Sequence, residues 1–265
     1  HINPARITVD IFGLTSNTNW ITQLKSAKGI SHTRYEQPED DVFRINLDLT
    51  HNQHWGYQVY YDTAAVARLT IRVKRQPPSL DIRKLRIAID AGHGGTNTGA
   101  SGVTSRILEK DYTLLLAKEL EKSLRRTGVT DIVMTRYTDT TLDMPQRILM
   151  LRDTQPDLLI SVHLNSASAD SIHGTSTFYR YAGFRPLSVS VLNRMLQLDL
   201  AEFGNVGSFN FALSGPTEYP NCLVEVAFLS NASDEKKILD AGFRKRVAVK
   251  IQEGIKDWLK QARNR

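Results

Sequence analysis

Polar and apolar residues alternate over 6–11, 42–49 and 69–74, the period of half-buried strands. These runs predict a small all-β domain, or a β-layer packed on a second domain. Gln76, Pro77, Pro78 and Ser79 then interrupt the pattern as a stiff linker. The boundary is therefore placed at residue 80, with a small β domain over 1–80 and a second domain over 81–265.

Beyond residue 85 the period changes to that of helices. Tyr112, Leu115, Leu116, Leu120 and Leu124 form one apolar stripe over 109–126, and Arg125, Arg126 and Gly128 supply stop signals. Asp143 caps a predicted helix running to Arg152, with Pro145 tolerated in its first turn. Pro186 opens another, with Leu187, Val191, Met195 and Leu198 on one side. A last helix carries Val247, Ile251, Ile255, Trp258 and Leu259. Between these helices lie three continuous apolar runs, 85–91, 158–163 and 222–228. Strands with no polar face are buried on both sides. The expected fold class is therefore α/β: helices on both faces of a mostly parallel or mixed sheet, preceded by the small all-β domain.

Composition sets bounds rather than direction. A chain of 265 residues, 41% hydrophobic and 23% charged, is an ordinary globular protein with length for one large domain or two smaller ones. No apolar stretch approaches the roughly 18 residues of a spanning helix, so no transmembrane segment is expected. The net charge of +6 is spread along the chain, which suits an anionic polymer as well as a plain solvated surface. A single cysteine, Cys222, excludes an internal disulfide and a cysteine-based zinc cluster. The opening His1-Ile2-Asn3 has neither an initiator Met nor a signal-peptide pattern, and the chain is expected to be a processed fragment.

Chemistry enters where two of the apolar runs end in histidine. His93 follows Ile89-Asp90-Ala91-Gly92 and precedes Gly94-Gly95, and His163 follows Leu159-Ile160-Ser161-Val162. In open α/β sheets, functional groups gather at such strand ends. Two imidazoles with Glu109 can hold a zinc ion with a fourth position open, and Glu225, inside the apolar run 222–228, can serve as base. Each residue also has a plainer reading. The segment 94–101 could be a phosphate-cradling loop, although Ala100 stands where the phosphate-binding lysine belongs. His163 could be a hydrogen-bonded structural residue, Glu109 a carboxylate favoured by a helix start, and Glu225 half of a structural ion pair. His173 competes as a ligand, but it stands at the start of a strand; His32, His51 and His54 fall in the β region.

Taken together and in order, five segments resemble the zinc-dependent N-acetylmuramoyl-L-alanine amidases of the amidase 3 type. They are Ile89-Asp90-Ala91-Gly92-His93-Gly94-Gly95, Leu108-Glu109-Lys110-Asp111, Thr135-Arg136, Ser161-Val162-His163-Leu164-Asn165 and the run from Leu223 to Asn231. The resemblance covers about 85–260. It implies Zn2+ bound by His93, Glu109 and His163, a catalytic Glu225, and cleavage of the bond joining N-acetylmuramic acid to L-alanine in peptidoglycan. It also implies an exported protein working in the periplasm or at the cell surface. Asn165 and Arg136 are candidates for orienting substrate. Leu164 and Thr113 depart from the family's usual residues and could alter substrate fit. Little room is seen for a plug helix between His163 and Glu225, and 204–211 reads as a substrate-contacting or packed surface loop. The β domain weakly resembles wall-targeting modules. Peptidoglycan is the expected partner, with no nucleic acid, a monomeric chain, and a regulatory envelope protein left open. The rivals are a zinc peptidase or deacylase acting on soluble peptides, and a wall-binding scaffold without turnover.

Overall fold

The computed structural model describes residues 1–16, 21–62 and 68–263. Two compact units divide between Gln76 and Pro77. In the first, β1 (Arg6–Phe12), β2 (Ile30–Glu39) and β3 (Val42–Leu49) form an antiparallel sheet in the order β1-β3-β2. β3 is central because Val42, Phe43 and Leu47 are buried there, while β2 is mostly exposed. Separately, β4 (Tyr57–Asp62) and β5 (Arg68–Val73) pair antiparallel as a two-stranded sheet.

The second unit is built on a six-stranded sheet. In chain order its elements are β6 (Ile87–Ala91), α1 (Glu109–Arg126), β7 (Ile132–Met134), α2 (Met144–Thr154), β8 (Leu158–Asn165) and β9 (Thr175–Phe178). They continue with α3 (Arg185–Met195), β10 (Glu202–Val206), β11 (Asn221–Phe228), α4 (Ala232–Leu239) and α5 (Ala241–Arg263). The strand order is β10-β9-β11-β8-β6-β7. All neighbouring pairs are parallel except β9 with β11, where the direction reverses.

The alternation of side chains across the strands explains both covered faces. Ala88 and Leu159 point to one face, where Leu151, Ile148 and Met144 of α2 pack on them with Leu213 and Tyr219. α1, α3 and α5 lie on the other; α1 packs on β6 and β8, α3 on β9 and β11, and α5 on both helices. The fold is the mixed α/β architecture expected from the sequence, with helices on both faces. In α1 the buried stripe runs through Leu116, Leu120 and Leu124, whereas Leu115, expected to be buried, is exposed. α2 begins as expected at Asp143, whose carboxylate and Gln146 form a reciprocal capping box.

Candidate functional site

At the end of β6 the chain leaves the sheet through Gly92, His93, Gly94 and Gly95. His93 has φ 61°, a left-handed conformation that few non-glycine residues adopt. Gly92 lies so close to β8 that an added Cβ would fall on the His163 ring. Only glycine lets the two strand ends bring their imidazoles together, and the rings stand 4.9 Å apart at 77°.

Glu109, the first residue of α1, completes the cluster. His93 Nε2 and His163 Nδ1 each lie 3.0 Å from its Oε1. One potential ligand atom from each of the three residues lies within 4.8 Å of the other two. The Ala100 N–H donates to Glu109 Oε2 at 2.8 Å and the Leu164 N–H to Oε1 at 3.0 Å. Burial opposes charge on Glu109, but hydrogen bonds from His163 and His93 outweigh it and hold the carboxyl well below its ordinary range. Burial likewise disfavours imidazolium at His163, and Glu109 reverses the balance, raising its pKa. On the far side of His93, Nδ1 sits 2.9 Å from Asn97 Oδ1, fixing the ring's orientation.

Glu225 stands across from this cluster, paired in register with His163 on β8 and Ser176 on β9. Its environment is the opposite of Glu109's. The side chain is buried and Oε2 has no hydrogen-bond partner among the described residues. Burial pushes its pKa up to about 7, against the pull of His163. Two carboxylates in one site thus have separate protonation behaviour, the division of labour that acid–base chemistry requires.

A cavity of about 460 Å³ opens over these groups, with Met144, Phe211, Leu213 and Leu223 as apolar walls and Asn165 and Asn210 as polar ones. Asn165 therefore stands where substrate orientation is feasible. Phe211 stacks at 15° to His163 with centroids 6.5 Å apart, so the end of the 204–211 segment does face the cavity.

Arg136 does not. It is buried, and its guanidinium donates to the carbonyls of Ala91, Gly92, Lys110 and Thr138 and to the Thr113 hydroxyl. The expectation that it contacts substrate is corrected: its donors are consumed holding backbone beneath the site. Thr113 is fully buried in the same network, donating to the Gly92 carbonyl at 2.7 Å, so it supports the turn and does not meet substrate. His173 is exposed and hydrogen-bonds locally to Ser171. The phosphate-loop alternative fails on the same accounting. The N–H groups of Gly94, Gly95, Thr96, Asn97, Gly99 and Ala100 are spent on protein acceptors, including the Asp139 and Glu109 carboxylates.

Asp90 and Arg147, absent from the expected site residues, also meet beneath the turn, where Arg147 donates to Asp90 and to the Ala91 and His93 carbonyls. Asp90 interrupts an apolar strand just as Glu225 does, and Arg147 falls four residues before Leu151 on the buried side of α2, so both carried a legible signal.

The donors and their placement define a class: an α/β domain in which His93, Glu109 and His163 could hold a metal ion beside the buried carboxyl of Glu225. The chain belongs to the N-acetylmuramoyl-L-alanine amidase family, whose model matches residues 87–257. It is 31% identical over 171 residues to the probable cell wall amidase LytH of Staphylococcus aureus, a match covering 64% of this chain and 57% of that protein. Among solved structures, it resembles the catalytic domain of the amidase CwlV from Bacillus (Paenibacillus) polymyxa var. colistinus. There the TM-score is 0.63 and the identity 31%, covering 66% of this chain and 97% of that one. An N-acetylmuramoyl-L-alanine amidase from Clostridium difficile 630 gives 0.61 and 29%, covering 66% and 96%. AmiC2 of Nostoc punctiforme gives 0.62 and 26%, covering 66% and 97%.

Proposed function

We propose that this protein hydrolyses the amide between N-acetylmuramic acid and L-alanine in peptidoglycan, with zinc held by His93, Glu109 and His163. The observation carrying this reading is the convergence of those three donors on one point, facing Glu225, inside the matched family segment. The donor set suits zinc: two imidazoles and a carboxylate kept ionised, with Asn97 orienting one ring. When bound, zinc supplies Lewis acidity toward the scissile carbonyl and acidifies water.

The protein's own groups do the rest. Glu225 takes the proton of the attacking water at its unpartnered Oε2. As the carbon–nitrogen bond breaks, it returns that proton to the departing amine of L-alanine. Water's oxygen stays on the muramoyl carboxyl, so the step balances without another reactant. Asn165 orients the substrate from the cavity wall, and the apolar walls limit access of bulk water. Peptidoglycan as substrate places the working protein outside the cytoplasm, in the periplasm or at the cell surface. The N-terminal β unit is read as a wall-targeting module on this account.

Digestion of purified sacculi tests the reading. New N-terminal L-alanine should accumulate with the zinc-loaded protein, and Glu225→Gln should lower the rate by about a hundred- to ten-thousand-fold while retaining zinc. Release of other termini would favour a peptidase or deacylase. No release from a zinc-loaded protein would favour a binding scaffold.

A further inference from the structure

Asp90 and Arg147 form a salt bridge of 2.5 Å with 1% side-chain exposure on both partners. A buried pair of this kind offers little net stability over packed apolar groups, so its retention invites a second role. The remaining donors of the guanidinium identify one. Nη1 also donates to the Ala91 carbonyl at 2.8 Å, Nη2 to the His93 carbonyl at 2.5 Å, and Nε to that of Leu142 at 3.2 Å. Asp90 is itself held, accepting from the Ser161 hydroxyl at 2.6 Å and the Thr135 hydroxyl at 2.8 Å. Arg136 holds the carbonyls of Ala91 and Gly92, each at 3.0 Å. Two buried cations thus grip three consecutive carbonyls where β6 ends. The third belongs to His93, whose left-handed backbone persists only if its surroundings impose it.

We propose that Arg147 is a positioning residue for the metal-ligating turn. Anchored by Asp90, it fixes the His93 carbonyl and so aims the His93 imidazole at Glu109 and His163. The inference rests on the zinc reading above. A lysine in its place carries the charge but not the fork: one ammonium cannot serve Asp90 and the three carbonyls from a single point.

Zinc affinity, measured by competition with a chromophoric chelator, tests the role in wild type, Arg147→Lys and Leu151→Ala. Leu151→Ala removes core packing from the same helix without touching the turn. Arg147→Lys should weaken zinc binding about ten- to a hundred-fold and alter the d–d spectrum of the cobalt-substituted protein. Leu151→Ala should lower thermal stability and leave zinc affinity unchanged. Equal affinity in wild type and folded Arg147→Lys overturns the proposal. So does an equal loss in Leu151→Ala, which would mark general destabilisation. If Arg147→Lys does not fold, Asp90→Asn/Arg147→Gln removes both charges together; it should show the same loss, and unchanged affinity there overturns the role. A wild type that binds no zinc overturns the metal reading itself, an outcome distinct from wild-type binding that survives in the variants.

Discussion

Glu109 and Glu225 line one cavity, yet burial leaves them in different states because one has hydrogen-bond donors and the other's Oε2 does not. For Glu225 the folded-state pKa lies near 7 against an ordinary 4.5. In zinc-free protein the folded state therefore holds more protons than the unfolded one between those values, and stability falls as pH rises through that window. Zinc-free Glu225→Gln should exceed zinc-free wild type in stability by up to about 3 kcal/mol near pH 8, and the gap should close at about pH 4. Urea denaturation across pH measures this; a gap that does not change with pH contradicts it. Gly92 gives a second test, since a methyl there collides with the His163 ring. Gly92→Ala should weaken zinc binding by on the order of ten- to a hundred-fold, read by the same chelator competition; unchanged affinity would show that the ring has room to move. At this scale the histidines and Glu225 were legible because each sits at the end of, or inside, an apolar run. Arg136 was misread because a sequence does not reveal where a guanidinium spends its donors.

Elements were legible where periodicity and punctuation agreed. α1 occupies the expected 109–126, since its stripe is followed by two arginines and a glycine. β6, β8 and β11 follow the predominantly apolar runs that burial on both faces requires. β9 is marked in the sequence only by the strand start expected at His173, although all four of its residues are buried. It reads Thr-Ser-Thr-Phe, and the hydroxyls of Thr175 and Thr177 are satisfied by the carbonyls of Glu225 and Ser188, so a polar sequence fills an interior strand. β2 and β4 were missed for the opposite reason: mostly exposed strands carry no burial pattern. The cap on α2 yields a prediction of its own. Asp143→Ala removes the capping box and should destabilise the fold by about 1 kcal/mol, seen as a lower melting temperature with zinc affinity unchanged. No change in melting would mean that other contacts hold that helix end.

At the scale of the whole molecule, the change of period places a break at residue 80, and the compact units divide between Gln76 and Pro77. The family segment lies within the second unit, and the four residues proposed for the chemistry all come from it. What the sequence could not convey is depth: which carboxylate is supplied with donors, which arginine is buried, and which loop residue faces the cavity are consequences of packing across β6, β8, β9 and β11. X-ray absorption spectroscopy of the zinc-loaded protein examines the meeting of the three donors most directly. The account predicts one zinc per chain whose protein ligands are two imidazoles and one carboxylate, with an imidazole lost in His93→Ala and again in His163→Ala. A protein that takes up no zinc, or a zinc shell unchanged by both substitutions, would contradict it.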